Sequence, residues 1–142
     1  MIDESRIDIY DYLCGLLKPI TSNVYAMDAP QELTTSDTTD GFIVVRLGDV
    51  HDESEFDLET YGWVRAFVEA YVPHKSRGRL DRTKYKAFED DINYAIRSEM
   101  KVPTSTKYFL EQETILSMDD LEDTNSDNAY NMFIKSFIVQ IQ

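Results

Sequence analysis

Tyr61-Gly62-Trp63-Val64-Arg65-Ala66-Phe67-Val68-Glu69-Ala70-Tyr71-Val72-Pro73 is the stretch that decides the fold of this 142-residue chain. Val64, Ala66, Val68, Ala70 and Val72 fall on one side of it, and Trp63, Arg65, Phe67, Glu69 and Tyr71 on the other. Strict alternation over about ten residues is the signature of a half-buried strand. The row of small aliphatic side chains suits close packing beneath a helix; the Trp/Arg/Phe/Glu/Tyr row suits a wetter or intersubunit face. Pro73 closes the ladder because it has no N–H to give. After a basic link, Asp81 is placed to cap a helix whose Tyr85, Phe88, Ile92, Ala95 and Ile96 recur every three or four residues. Leu80 and Tyr85 stand at the hydrophobic-staple positions around that cap. This helix is expected on the small-residue face of the sheet.

Upstream, Asp3 is expected to cap a helix running to about Leu17, with Ile2 and Ile7 as its staple and Ile9, Tyr10, Leu13, Cys14 and Leu17 as its apolar stripe. Lys18-Pro19 stops it. Asn23 to Met27 reads as a short strand ended by Asp28-Ala29-Pro30. Gln31 to Asp40 is polar and Thr-rich, and Asp40-Gly41 is a turn signal. Phe42 to Leu47 is nearly all apolar, which predicts a central strand. Gly48 to Glu59 carries Asp49, Asp52, Glu53, Glu55, Asp57 and Glu59, too many carboxylates to bury.

Downstream, Val102-Pro103-Thr104-Ser105 reads as a loop, and Tyr108 to Met118 alternates like an edge strand. Asp119 to Asn128 reads as a second acidic loop. Tyr130 to Ile141 is the last predicted strand, with Phe133, Phe137, Val139 and Ile141 on one face, interrupted by Lys135, and Met132, Ile134 and Ile138 on the other. The order α-β-β-β-α-β-β predicts a single α+β domain spanning residues 1–142. Its architecture is a mostly antiparallel, twisted sheet of about five strands with two helices packed on one face. Burial of Phe88 or Ile92 should contribute about 1.5–3 kcal/mol each.

Composition narrows the function classes. A hydrophobic content of 42% supports a real core, while the net charge of −13 and the pI of about 4.4 repel phosphates and anionic lipid. No basic stripe of the kind that reads nucleic acid is present. The lone Cys14 provides no disulfide framework, which fits a reducing compartment. No apolar run approaches the roughly 20 residues of a membrane span, and Ile2-Asp3-Glu4-Ser5 is acidic rather than signal-like. A soluble chain with no membrane partner is the expectation.

Catalytic and cofactor signals are weak. His51 and His74 occur in separate loops without a Cys, Ser or Glu partner at a recognised spacing. Lys75-Ser76-Arg77-Gly78-Arg79 lacks the leading glycines of a phosphate loop. Asp123-Thr124-Asn125-Ser126-Asp127-Asn128 starts like a calcium loop. However, Asn128 stands at the glycine turn position and Ile134 at the closing carboxylate position. The pairs Asp90/Asp91 and Glu111/Glu113 fit solvated faces better than acid–base work. The expectation is a non-enzyme without metal or cofactor.

Charge is distributed unevenly. Lys75, Arg77, Arg79, Arg82, Lys84 and Lys86 are six of the fourteen basic residues within twelve positions, and the two acidic segments hold eleven of the twenty-seven carboxylates. This pattern points to head-to-tail association, the basic patch of one copy meeting an acidic segment of the next. The candidate contact residues are Lys75, Arg77, Arg79 and Arg82 against Asp119, Asp120, Glu122 and Asp123. Trp63, Phe67 and Tyr71 are the candidates for apolar affinity.

These elements in this order resemble the tail terminator (tail completion) proteins of long-tailed bacteriophages, including the lambda tail terminator and related minor tail proteins. The likeness is carried by the N-terminal helix before Asn23-Val24-Tyr25, by Phe42 to Arg46, by Gly62 through Pro73, by the Leu80-Asp81 helix start and by Phe133 to Ile141. The long acidic segment Gly48 to Glu59 and the acidic stretch before the last strand depart from it. The resemblance implies a virion protein made in the bacterial cytoplasm that forms a hexameric ring on the head-proximal end of the tail. Such a ring caps the polymerised tube, meets the tail tube protein and the head–tail connector, and lets DNA pass without binding it specifically. Another neck or connector component, and an acidic interaction module that mimics DNA, are the alternatives; a small hydrolase would need a constellation the sequence does not display.

Overall fold

The computed structural model describes residues 4–27, 40–48, 62–74, 81–122 and 129–141. Its elements are α1 (Glu4–Leu17), β1 (Val24–Ala26), β2 (Phe42–Leu47), β3 (Gly62–Pro73), α2 (Arg82–Lys101), β4 (Tyr108–Glu122) and β5 (Ala129–Ile141). The α+β order is the expected one. The five strands form one sheet in the order β1-β2-β3-β5-β4.

The sheet is mixed, because β1 pairs parallel with β2 while the other three pairings are antiparallel. Strand direction depends on the path of the intervening chain, which the alternation of Val24 to Ala26 does not encode. β5 lies between β3 and β4 and opposes both, so β3 and β4 run the same way. The segment β3-α2-β4 is therefore a parallel crossover split by the strand that follows it.

Both helices cover the small-residue face. Ile9, Leu13 and Leu17 of α1 and Phe88, Ile92 and Ile96 of α2 share one core cluster with Val64, Ala66, Val68, Ala70 and Val72. From β5 the cluster takes Phe133, Phe137, Val139 and Ile141, on the predicted alternation. Lys135 belongs to the same row: it stands opposite Val68 in register and is buried. Asp81 caps α2 as expected, its carboxylate accepting the Lys84 N–H at 3.1 Å.

Two expectations about β4 are corrected. The strand runs past Met118 to Glu122, so Asp119, Asp120 and Glu122 belong to a strand and not to an acidic loop. They face Met132, Asn131 and Ala129 in the register with β5. A long partner strand fixed the outcome that local charge argued against. Strict alternation also fails, because the register shifts between Glu111 and Thr114 and again between Ile115 and Ser117. β1 is shorter than predicted: Met27 already has φ 78°, which turns the backbone out of the strand before Asp28. Gly41, with φ 89°, leads into β2 where an added Cβ would stand 2.5 Å from the Tyr71 carbonyl oxygen. Only glycine allows that approach.

A buried carboxylate locks the helices to the sheet. Glu99 accepts the Tyr12 hydroxyl at 2.6 Å and the Thr104 N–H at 2.9 Å, and the Thr104 hydroxyl lies 3.0 Å from both carboxylate oxygens. These bonds join α1, the end of α2 and the turn into β4. Burial, then the Glu99 hydrogen bond and charge, push the Tyr12 hydroxyl far above its usual range.

Candidate assembly surfaces

On the face away from the helices, the second row of β3 lies beside alternate residues of β2 and β5. At the Pro73 end of this face, Phe42, Val44 and Tyr130 form a small buried cluster, with Tyr25 and Tyr71 packed against it. Tyr71 stacks on Phe42 at 4.5 Å with the rings 11° from parallel. Its hydroxyl donates to Glu69 at 2.9 Å, and Glu69 also receives Nε of Arg46 at 2.9 Å. Arg46 in turn donates to the Met27 carbonyl, fixing the end of β1. Burial, followed by the bond and charge of Glu69, pushes the Tyr71 hydroxyl up to about 12.

The other half of the face is more open. Trp63 is 40% exposed, and Phe67, Ile134 and Ile138 are half-buried with no described helix over them. In the register, Phe67 faces Ser136, Arg65 faces Ile138 and Glu69 faces Ile134. Long apolar side chains thus form a stripe broken by polar ones. Of the three residues expected to supply apolar affinity, Trp63 and Phe67 lie on this stripe. Tyr71 is instead occupied within its own chain.

The charged candidates divide differently. Arg82 is exposed as the first residue of α2. Lys86 pairs with Asp90 one turn along the helix at 3.3 Å, which occupies it locally. Lys75, Arg77, Arg79 and Asp123 lie outside the described residues, as do His51, the segment Gly48 to Glu59 apart from Gly48 itself, and the calcium-like run 123–128. Their flanking residues still give the topology. Pro73 pairs with Tyr130, and Tyr130 with Leu121, so the basic link and the β4–β5 connection leave the same end of the sheet. Gly62 pairs with Ile141 at the opposite end, about 36 Å away along β3 at 3.3 Å per residue. The acidic segment before β3 enters at that far end.

Two features went unread in the sequence. Glu99 follows Ile92 and Ile96 at helical spacing, which places it on the buried stripe and calls for partners. The Arg46–Glu69 pair had no local signal, since its members meet only through the β2–β3 register. A cleft of about 280 Å³ between the start of α2 and the end of α1 is lined by Thr21, Asp40, Lys84, Phe88 and Asp91. Among the described residues, no group of three or more His, Cys, Asp or Glu is disposed to hold a metal ion. No described helix is long and apolar enough to cross a membrane.

Comparison with protein-family models and with curated proteins finds no match.

Proposed function

We propose that the chain is a structural assembly protein of a phage or phage-derived tail, which forms a ring on the end of the tail tube and joins it to the head–neck region. The observation that carries this reading is the unequal treatment of the two sheet faces. One face is sealed by α1 and α2, and on the other Trp63 stays exposed and Phe67, Ile134 and Ile138 stay half-buried. An apolar stripe rimmed by charge is the usual anatomy of a protein contact. Charge of opposite sign sets orientation, and contacts that are not self-complementary close into rings when the rotation between copies allows. On this reading the partners are further copies of the chain, the tube protein below and the connector above. DNA travels through the ring without specific contacts, and no bond is made or broken.

Light scattering with negative-stain imaging tests this directly. Rings are expected at micromolar concentration. Reversing Arg77, Arg79 and Arg82 to Glu should leave a folded monomer. A chain that stays monomeric at high concentration sinks the assembly reading; rings that persist in the triple variant sink the charge-docking part of it.

A further inference from the structure

β4 lies at the border of the sheet, and no described strand pairs with its outer side. Such an edge presents backbone N–H and C=O groups to any strand that fits. The two register shifts near Glu111 and Ile115 bend the first part of the edge and blunt pairing there. From Ser117 to Glu122 the register runs unbroken against β5. This open stretch carries Asp119, Asp120 and Glu122 and no basic residue. A second β4 would be repelled, whereas a cationic strand would be attracted.

Lys75-Ser76-Arg77-Gly78-Arg79-Leu80 has the matching chemistry and the matching length. Its cations recur with a period of two, so an extended backbone sets all three on one side. Its own chain cannot deliver it to that edge. His74 and Asp81 are connected by at most about 25 Å of extended chain. The outer side of β4 is three strand spacings from β3, about 14 Å, whereas the first residue of the segment is bonded to His74 at the end of β3, so the whole segment cannot lie along that edge. A neighbouring copy has no such limit. Copies around a ring share an axis and present like ends at one level. The link leaves the sheet at the Pro73–Tyr130–Leu121 end, level with the open stretch of β4.

We propose that the Ser117–Glu122 edge of β4 receives the Lys75–Leu80 segment of a second copy as an added strand. This contact rests on the assembly reading and names the place where neighbouring copies join. The residues that flank the acidic segment between β2 and β3, Gly48 and Gly62, stand at the other end of the sheet.

The test measures amide hydrogen exchange of the intact chain at a concentration where it is monomeric, with and without a synthetic peptide of residues 74–81. With peptide at about ten times its dissociation constant, the outward amides of 117–122 should exchange about ten-fold more slowly. A peptide with Lys75, Arg77 and Arg79 changed to Glu should protect nothing. The chain carrying Asp119→Lys and Asp120→Lys should reverse that preference. Unchanged exchange at 117–122 overturns the edge proposal even if scattering shows rings, because assembly then uses another contact. A protected edge on a chain that never self-associates supports the edge's recognition of this segment and overturns the assembly reading alone.

Discussion

The two faces of the sheet are built from the same strands, yet they are finished in different ways. Toward the helices, every second residue of β3 is Val or Ala, and Ala66 and Ala70 let α1 and α2 approach closely. Away from the helices, the intervening residues are large and mixed. Some pack on each other, through the Phe42–Tyr71 stack and the Arg46–Glu69 pair, and Trp63 stays 40% exposed. The first face spends its apolar area on folding. The second leaves Trp63 exposed and Phe67, Ile134 and Ile138 half-buried, the area that the proposed assembly would use.

Substitutions on the two faces should therefore separate stability from association. The largest effect belongs to the covered face: Ile92→Ala should cost about 2–5 kcal/mol in denaturant unfolding, because α2 cannot collapse into the space. On the bare face, Trp63→Ala with Phe67→Ala should weaken self-association by at least about 2 kcal/mol, roughly thirty-fold, in sedimentation velocity. The same pair should move the unfolding midpoint much less than Ile92→Ala does. Equal losses of stability from both faces would erase the distinction.

Glu99→Gln keeps the shape of the Tyr12–Thr104 junction but removes its charge and one acceptor. A loss of about 1–3 kcal/mol is expected in thermal or denaturant unfolding. A smaller, pH-dependent effect should come from Tyr71, whose hydroxyl titrates near 10 when unfolded and near 12 in the fold. Its contribution is complete below pH 10 and declines as pH rises toward 12, so stability should fall across that window. Tyr71→Phe should flatten the decline. Arg82→Glu alone should shift association by only about 0.2–1 kcal/mol, since exposed ion pairs are heavily screened.

The legible parts of the fold were those with a local pattern. Val64 to Val72 announced its strand, the spacing of Phe88, Ile92 and Ile96 announced the face of α2, and the unbroken apolar run Phe42 to Leu47 announced a central strand. What depended on distant partners was not legible. The parallel pairing of β1 could not be read from three residues, and Asp119-Asp120 looked like a loop because β5 is absent from any local window. The candidate contact surfaces show the same division. Period-two spacing put Trp63 and Phe67 on one row, but Tyr71 shares that row and is claimed by Phe42, a residue on another strand.

The placement of β5 has a consequence for synthesis. It is made after β4 but sits between β3 and β4, joined to both along nearly its whole length. A ribosome that has delivered the chain as far as β4 has therefore produced two strands with a vacant lane between them. The sheet cannot close until residues 129–141 emerge and slot in from the side. Pairings across such long separations form slowly, so until then the nascent chain displays raw strand borders to its neighbours, and crowded polysomes are where it is most prone to cross-pair.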